Sequence, residues 1–484
     1  MAFRDLHEFA AELERRGLLR RIGVEVDPEL EITEIADRVM KRQGPALLFE
    51  RVRGSAYPVL INAFGSPERI ELALGTQDLT GLGEELARMA QPPEPPAGLL
   101  DKLKALPKLA QLASFFPKVV KSAPVQEVVE EDPDLTALPV LKCWPADAGR
   151  FVTLPLVATR DPLTGRRNLG MYRLQVYNRR TTGMHWHMHK DAAEHLRRSG
   201  GKLEAAVALG GDPATIYAAT APLPAWMDEY VFAGFVRRAP VELVRCRTVD
   251  LEVPAHADFV LEGWVDAAER RVEGPFGDHT GFYSPAEEFP VFHVTCVTRR
   301  REPWYPATVV GPPPMEDAFL GLATERLFLP LVRMQLPEVV DMHMPAAGAF
   351  HNLVLVSIRK RYPGQARKVM HALWGLGLMM LAKVIVVLDE DVEVHDANQV
   401  LWKALANIDP ERDLEFAHGP VDALEHASPH PYFGSKVGVD ATRKLASEGH
   451  PRSWPEEIRM SPEVVEQVTR RWSEYGLGPD DRRP

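Results

Sequence analysis

The sequence predicts a multidomain α/β protein in three parts. These are an α/β unit over residues 1–124, a β-rich middle over 125–311 that suits a barrel, and a second α/β unit over 312–484. Three observations carry this. The 484 residues exceed what one hydrophobic core usually serves. The apolar pattern changes near residue 125 from mixed helix and strand to strand after strand. It changes again after the Pro-Pro-Pro run at 312–314, to strands alternating with helices, the mark of a parallel, doubly wound sheet.

Each element follows from a local signal. Residues 1–20 read as a helix with Leu6, Phe9, Leu13 and Leu18 near one face. Pro28 opens a second helix, with Ile32, Ile35 and Val39 inward, and Gly44-Pro45 ends it. Residues 46–49 and 59–64 are short strand-like runs, and Ser66-Pro67-Glu68 reads as an N-cap with proline at the first helical position. QPPEPP at 91–96 is a breaker, followed by an expected helical connector from 99 to about 121. In the middle part, 151–159 and 168–177 read as strands joined by a turn at 161–165, with further strands at 205–209, 241–246, 259–265 and 291–297 and a helix around 224–237. The last part reads as helix 319–329, strand 353–358, helix 366–381, strand 384–388 and helix 397–406.

Composition removes several functions. A net charge of −11 argues against a nucleic-acid surface, which needs a basic patch. The three cysteines, Cys143, Cys246 and Cys296, lie far apart without CxxC spacing, so neither a disulfide framework nor a thiolate zinc site is expected, and a reducing cytoplasm fits. The first residues carry acids and an amphipathic period, unlike a signal peptide. The most apolar run, 372–388, is interrupted by Lys383 and reads as a buried helix followed by a buried strand rather than a membrane span.

The chemistry is expected at 273–283, EGPFGDHTGFY. Pro275 fixes its own φ, while Gly274 and Gly277 allow backbone that other residues avoid, so a shaped loop is expected. Such a loop either brings Glu273 and Asp278 into one small volume, where two acids can hold different protonation states, or is a surface turn with solvated acids. Four other groups stand beside it. His185, His187 and His189 alternate in MHWHMH and would share one strand face, as a metal site or as polar positions on a half-exposed strand. Asn168 and Arg173 in NLGMYRLQ have an odd separation, so they meet at one site only if a bulge intervenes at Gly170 or the strand ends early. A buried Arg173 needs an anionic partner; otherwise it lies at the rim. Glu229 either faces solvent or serves a metal with Asn168 and His189. Asp389-Glu390-Asp391 ends a buried strand, as a metal site or a solvated loop, and Gly434-Ser435-Lys436 suits phosphate.

Taken together, NLGMYRLQ, EGPFGDHTGFYSP, ATVVGPPPMED and GSKVGVDAT, in this order along essentially the whole chain, resemble the UbiD-like decarboxylases, which use prenylated FMN. The resemblance implies a central flavin-binding split β-barrel between the two α/β domains, the last of which serves oligomerisation. It implies a metal, manganese or magnesium with potassium nearby, on Asn168, His189 and Glu229. It implies flavin contacts from Met171, Tyr172 and Arg173, from His185, Trp186, His187, Lys190 and Asp191, and from Lys436. His185 departs from the family, standing where an arginine is common. The catalytic Glu–Arg–acid set falls on Glu273, Arg173 and Asp278. The third acid is a glutamate in cinnamate-type relatives, so Asp278 points to the quinone-biosynthesis branch.

The activity implied is reversible, non-oxidative decarboxylation of a hydroxybenzoate or naphthoate, prenylated or not, in ubiquinone or menaquinone biosynthesis. The flavin takes up the charge left by carbon dioxide. A flavin prenyltransferase supplies the cofactor, and the enzyme is a cytoplasmic homo-oligomer, dimer or hexamer, that contacts the inner membrane only peripherally. Arg173 is expected to depress the pKa of Glu273, and burial is expected to raise that of Asp278. The alternatives are a catabolic phenolic-acid decarboxylase or carboxylase of the same family, a metal hydrolase built on the three histidines, and a non-catalytic oligomeric binding protein.

Overall fold

A computed structural model describes residues 2–91, 110–224 and 227–478. The expected N-terminal helices form, but the first ends at Arg15, and residues 19–20, expected as helix, open the strand Leu19–Val26. The first helix spans Leu6–Arg15 and the second Glu31–Met40, burying Leu6, Phe9, Leu13 and Ile32. Ser66 caps the helix Pro67–Ala73, its side chain accepting from Arg69 N at 3.2 Å. The strands Leu19–Val26, Ala46–Val52 and Val59–Ile61 make a sheet. Its fourth strand, Tyr305–Ala307, comes from the far end of the middle segment and pairs in parallel with Val59–Ile61. Residues 99–109 of the expected connector over 99–121 lie outside the described residues; 110–113 are helical, and the end of the connector is instead the strand Lys118–Val120.

The middle of the chain builds a seven-stranded sheet. Its path runs Thr181–Gly183, Glu287–Arg299, Ala257–Glu273, Lys202–Gly210, Pro155–Arg160, Arg167–Gly170, with Val128–Glu130 beside Glu287–Arg299. Every pairing is antiparallel, and among the described residues the path does not close on itself. Side chains alternate across it. Ala206 and Ala208 join the core that contains Phe9 and Phe64, while Ala205, Val207 and Leu209 join the core that contains Phe49 and Tyr305. Both faces are therefore buried, which explains the nearly unbroken apolar run at 205–209.

The C-terminal sheet has five strands in the order Val339–His343, Leu353–Ile358, Val384–Asp389, Phe433–Asp440, Leu414–Pro420. Its three central strands are parallel, as expected, but both edge strands are antiparallel. The helix Glu316–Gln335 lies close against the helix Leu79–Ala90: a Cβ on Gly83 would meet the Leu327 carbonyl oxygen at 2.4 Å, so only glycine fits there. The buried carboxylate of Glu316 accepts from Phe64 N and Thr308 Oγ1, both at 2.7 Å, tying three segments together. No described helix is long and apolar enough to cross a membrane.

Candidate active site

The strand Ala257–Glu273 ends in the carboxylate expected to matter. Gly274 follows at φ +86°, in the left-handed region that glycine enters without strain. Gly277 serves differently: a Cβ there would lie 2.2 Å from the Trp144 ring. The loop is pinned from outside. Gly274 N donates to Gln175 Oε1 at 2.8 Å and Gly277 N to Asp147 Oδ1 at 2.7 Å. Across the loop Ser284 N donates to Phe276 O at 2.8 Å. This is not a solvated surface turn, because Glu273 is 0% exposed.

Arg173 reaches the loop because its strand stops. Arg167–Gly170 ends at Gly170, and Met171 N donates instead to Ala219 O at 3.1 Å. The early strand end considered above therefore occurs, and strand parity no longer separates Asn168 from Arg173. The guanidinium grips both Glu273 oxygens, from Nε at 2.8 Å and Nη2 at 3.0 Å, in the bidentate fork that suits carboxylates. Nη2 also donates to Ser284 Oγ at 3.0 Å, Nη1 pairs with Asp278, and the Phe276 ring lies 4.6 Å from the guanidinium carbon.

Burial opposes ionisation of Glu273, but hydrogen bonds from His185 and Arg173 outweigh it and hold its pKa at about 2. That matches the expectation for Glu273. The expectation for Asp278 is corrected. Burial does push its pKa up, yet the hydrogen bond and charge of His279, followed by Arg173, win and hold it below the usual carboxylate range. Asp278 Oδ1 accepts from His279 N at 2.7 Å and from His279 Nδ1 at 2.8 Å.

Arg173 and Asp278 face a cavity of about 260 Å3, near the lower end of the ~300–1,000 Å3 common for small-molecule sites. Six of the expected flavin contacts line it: Met171, Tyr172, Arg173, His185, His187 and Lys190. Asp422 and Leu424 close it from the C-terminal part. The other three sit elsewhere. Trp186 turns into the core with its ring 6.5 Å from Tyr172, leaving a buried indole N–H without a partner among the described residues. Asp191 is the exposed first residue of the helix Asp191–Ser199. Lys436 is buried in the C-terminal sheet and donates to Met380 O, so the structure does not bring it to this cavity.

The three alternating histidines do not form one face. Only Thr181–Gly183 is strand, and the chain turns after it, with Lys190 N donating to His187 O at 3.0 Å. His185 lies 3.1 Å from Glu273 Oε2 with its ring 4.1 Å from Phe289. His189 is exposed and makes no hydrogen bond or ion pair among the described residues. Glu229 opens the helix Glu229–Arg237 and accepts from Leu169 N at 3.2 Å, which puts it beside Asn168. The Glu229 carboxylate is half-buried and has no cationic side chain paired with it among the described residues. Burial, aided by Asp228 and Asp191, pushes its pKa up to about 7. A carboxylate in that position fits a bound cation. The acids at 389–391 are held in ion pairs, Arg443 with the buried Asp389 and with Asp391, and Arg359 with Glu390.

Sequence reasoning passed over His279, Ser284, Asp147 and Asp422. His279 and Ser284 stand inside or next to the motif and could have been found by proximity. Asp147 and Asp422 lie in other segments and carry no local signal.

Three family profiles match this chain: the 3-octaprenyl-4-hydroxybenzoate carboxy-lyase N-terminal domain over residues 10–89, its Rift-related domain over 118–313 and its C-terminal domain over 318–441. The chain belongs to the UbiD family of decarboxylases. It is thus a carboxy-lyase by family, and an evolved dimeric form of the UbiD-class enzyme HmfF is solved in complex with prenylated FMN. An uncharacterized protein of Archaeoglobus fulgidus is 52% identical over 479 residues, covering 98% of this chain and 99% of its own. Among solved structures, vanillic acid decarboxylase of Sedimentibacter hydroxybenzoicus in closed form superposes with a TM-score of 0.85 at 27% identity, covering 99% and 100% of the two chains. The UbiD-class enzyme HmfF from Pelotomaculum thermopropionicum, in complex with FMN, gives 0.79 at 31% identity, covering 96% and 98%.

Proposed function

We propose that this UbiD-family enzyme decarboxylates an aromatic acid of the hydroxybenzoate or naphthoate type, with Asp278 as proton donor, Arg173 as orienting cation and Glu273 as its fixed counter-ion. The observation that carries this reading is the Arg173 guanidinium, clamped by buried Glu273 and paired with Asp278 at the wall of one cavity. Prenylated FMN, when bound, supplies an acceptor for the electrons that the departing carbon dioxide leaves behind. The chain's residues do the rest. Met171, Tyr172, His185, His187 and Lys190 would hold the flavin, and Asn168, Glu229 and His189 a manganese or magnesium ion with potassium nearby. Arg173 orients Asp278, which moves a proton to the ring carbon.

The aspartate at 278 supports the quinone-biosynthesis branch, with a flavin prenyltransferase as cofactor supplier and peripheral contact with the inner membrane. The likeness to vanillic acid decarboxylase favours a second reading, a simple phenolic acid as substrate. The division proposed at 1–124, 125–311 and 312–484 draws support from the four-, seven- and five-stranded sheets, although Lys118–Val120 pairs forward with Glu242–Arg245 and Tyr305–Ala307 pairs back with Val59–Ile61. Exposed Leu401, Trp402 and Leu405 on the helix Ala397–Asn407 support homo-oligomerisation through the C-terminal part.

The test is co-expression with a flavin prenyltransferase, then measurement of carbon dioxide release from hydroxybenzoates, naphthoates and their prenylated forms. Release from prenylated acids alone supports the quinone branch, and release from simple phenolic acids supports the second reading. No release from any of them contradicts the proposal.

A further inference from the structure

The ionised state of Asp278 leaves a gap in the reaction. Decarboxylation replaces a carbon–carboxylate bond with a carbon–hydrogen bond, so each turnover consumes one proton. Asp278, paired with Arg173 and His279, does not hold that proton in this structure.

The neighbouring geometry indicates where it is kept. His279 touches Asp278 through Nδ1 at 2.8 Å, and its other nitrogen, Nε2, lies 2.8 Å from His351 Nε2. Two imidazole nitrogens at that distance share one proton, so one ring donates and the other accepts. His351 comes from the C-terminal part, on a loop where Ala349 and Phe350 both have positive φ, at +48° and +46°. Those angles are strained for residues with side chains. The Phe350 ring stacks on His279 with centroids 5.2 Å apart. The loop therefore fixes the imidazole of His279 from its face and from its far nitrogen.

We propose that His279, oriented by His351, stores the proton that Asp278 passes to the substrate. The inference rests on the decarboxylation reading above. In the resting site His279 is an imidazolium: Nδ1–H donates to Asp278, and Nε2–H donates to His351, which is neutral with its proton on Nδ1. An arriving substrate carboxylate brings a like charge beside Asp278 and raises its affinity for a proton. The Nδ1–H bond of His279 then breaks as an O–H bond forms on Asp278. That O–H bond breaks in turn as the carbon–hydrogen bond forms. After product leaves, water in the cavity, which both residues line, returns one proton to the Asp278–His279 pair.

The charges around the pair agree with this order. Burial opposes a charge on His279, but Asp278, with Asp317 and Asp422 beyond it, raises its pKa to about 8. Burial and then the charge on His279 lower His351 to about 4, with Asp422, Asp278 and Glu425 opposing them only in part. At neutral pH one proton therefore sits on His279 and His351 accepts. His351 is a positioning residue acting through His279.

The test uses the full-length holoenzyme. In His279→Asn, kcat should fall about tenfold or more, with KM and flavin content unchanged. The decline of wild-type rate above pH about 8, expected from loss of the imidazolium, should disappear, and added imidazole should restore part of the rate. His351→Ala should move that high-pH decline. A His279→Asn enzyme with the wild-type rate and pH profile would overturn the proposal. Nitrogen-15 NMR of the substrate-free holoenzyme separates the two readings. Both nitrogens of His279 should be protonated at pH 7, and the imidazolium should deprotonate at lower pH in Asp278→Asn. A neutral His279 in the wild type overturns this inference alone, whereas a protonated His279 in an enzyme that releases no carbon dioxide counts against the decarboxylation reading.

Discussion

The two sides of the candidate site differ in how finished they are. On one side Arg173, Glu273, Asp278, His185, His279 and Ser284 neutralise and orient one another completely. On the other, Glu229 is a half-buried carboxylate without a cation, and His189 is exposed without a partner among the described residues. The first side needs no ligand to hold its shape, because the cost of burying charge is met within the protein. The second holds a carboxylate whose charged form burial disfavours and a cation would stabilise. On the proposed function the difference separates the roles: the acid–arginine side is preorganised for chemistry, and the Glu229 side is the one that a bound metal would complete.

Removing the centre of the finished side should have the largest effect. Arg173→Ala leaves Glu273 buried without its guanidinium and should cost about 3–5 kcal/mol in denaturant unfolding, together with all decarboxylation. A loss below 1 kcal/mol would mean that the fork is not the organising contact. Acid should act next. Glu273 has a folded-state pKa of about 2, below the ~4.3 of an unfolded glutamate. Its contribution, ~3 kcal/mol, is complete above about pH 5 and is lost as pH falls through ~4 towards 2. Unfolding curves between pH 6 and 3 should show this loss in the wild type and less of it in Glu273→Gln.

The unfinished side should respond to metal instead. Manganese at 100 times its Kd should stabilise the wild type by about 2.7 kcal/mol and Glu229→Gln hardly at all; equal stabilisation of both would remove Glu229 from the metal site. The smallest effect should come from Ser284→Ala, which deletes one hydrogen bond to a charged group and should cost about 1.5 kcal/mol in the same unfolding assay.

The elements were legible where local chemistry decides them. Ser66-Pro67 caps its helix, and 353–358 and 384–388 form neighbouring strands, because capping and apolar runs act over a few residues. The pairing of Arg173 with Glu273 was legible only through motifs, since the two are 100 residues apart and meet because a strand stops at Gly170. The alternation of His185, His187 and His189 misled, because a period of two means a shared face only in a strand, and here the chain turns. The proton affinity of Asp278 was misjudged because burial is visible as a tendency of the sequence, whereas the opposing hydrogen bond from His279 is a matter of 2.8 Å. His351 and Asp422 reach the site only through the packing of the C-terminal part, which no local pattern encodes.

The central claim is that Asp278 delivers the proton at a site whose binding functions do not depend on it. Single-turnover decarboxylation by Asp278→Asn, loaded with flavin and metal, tests it most directly. Flavin content and metal binding equal to the wild type, with carbon dioxide release abolished, is the predicted result. Release at a near-normal rate by that variant would contradict it.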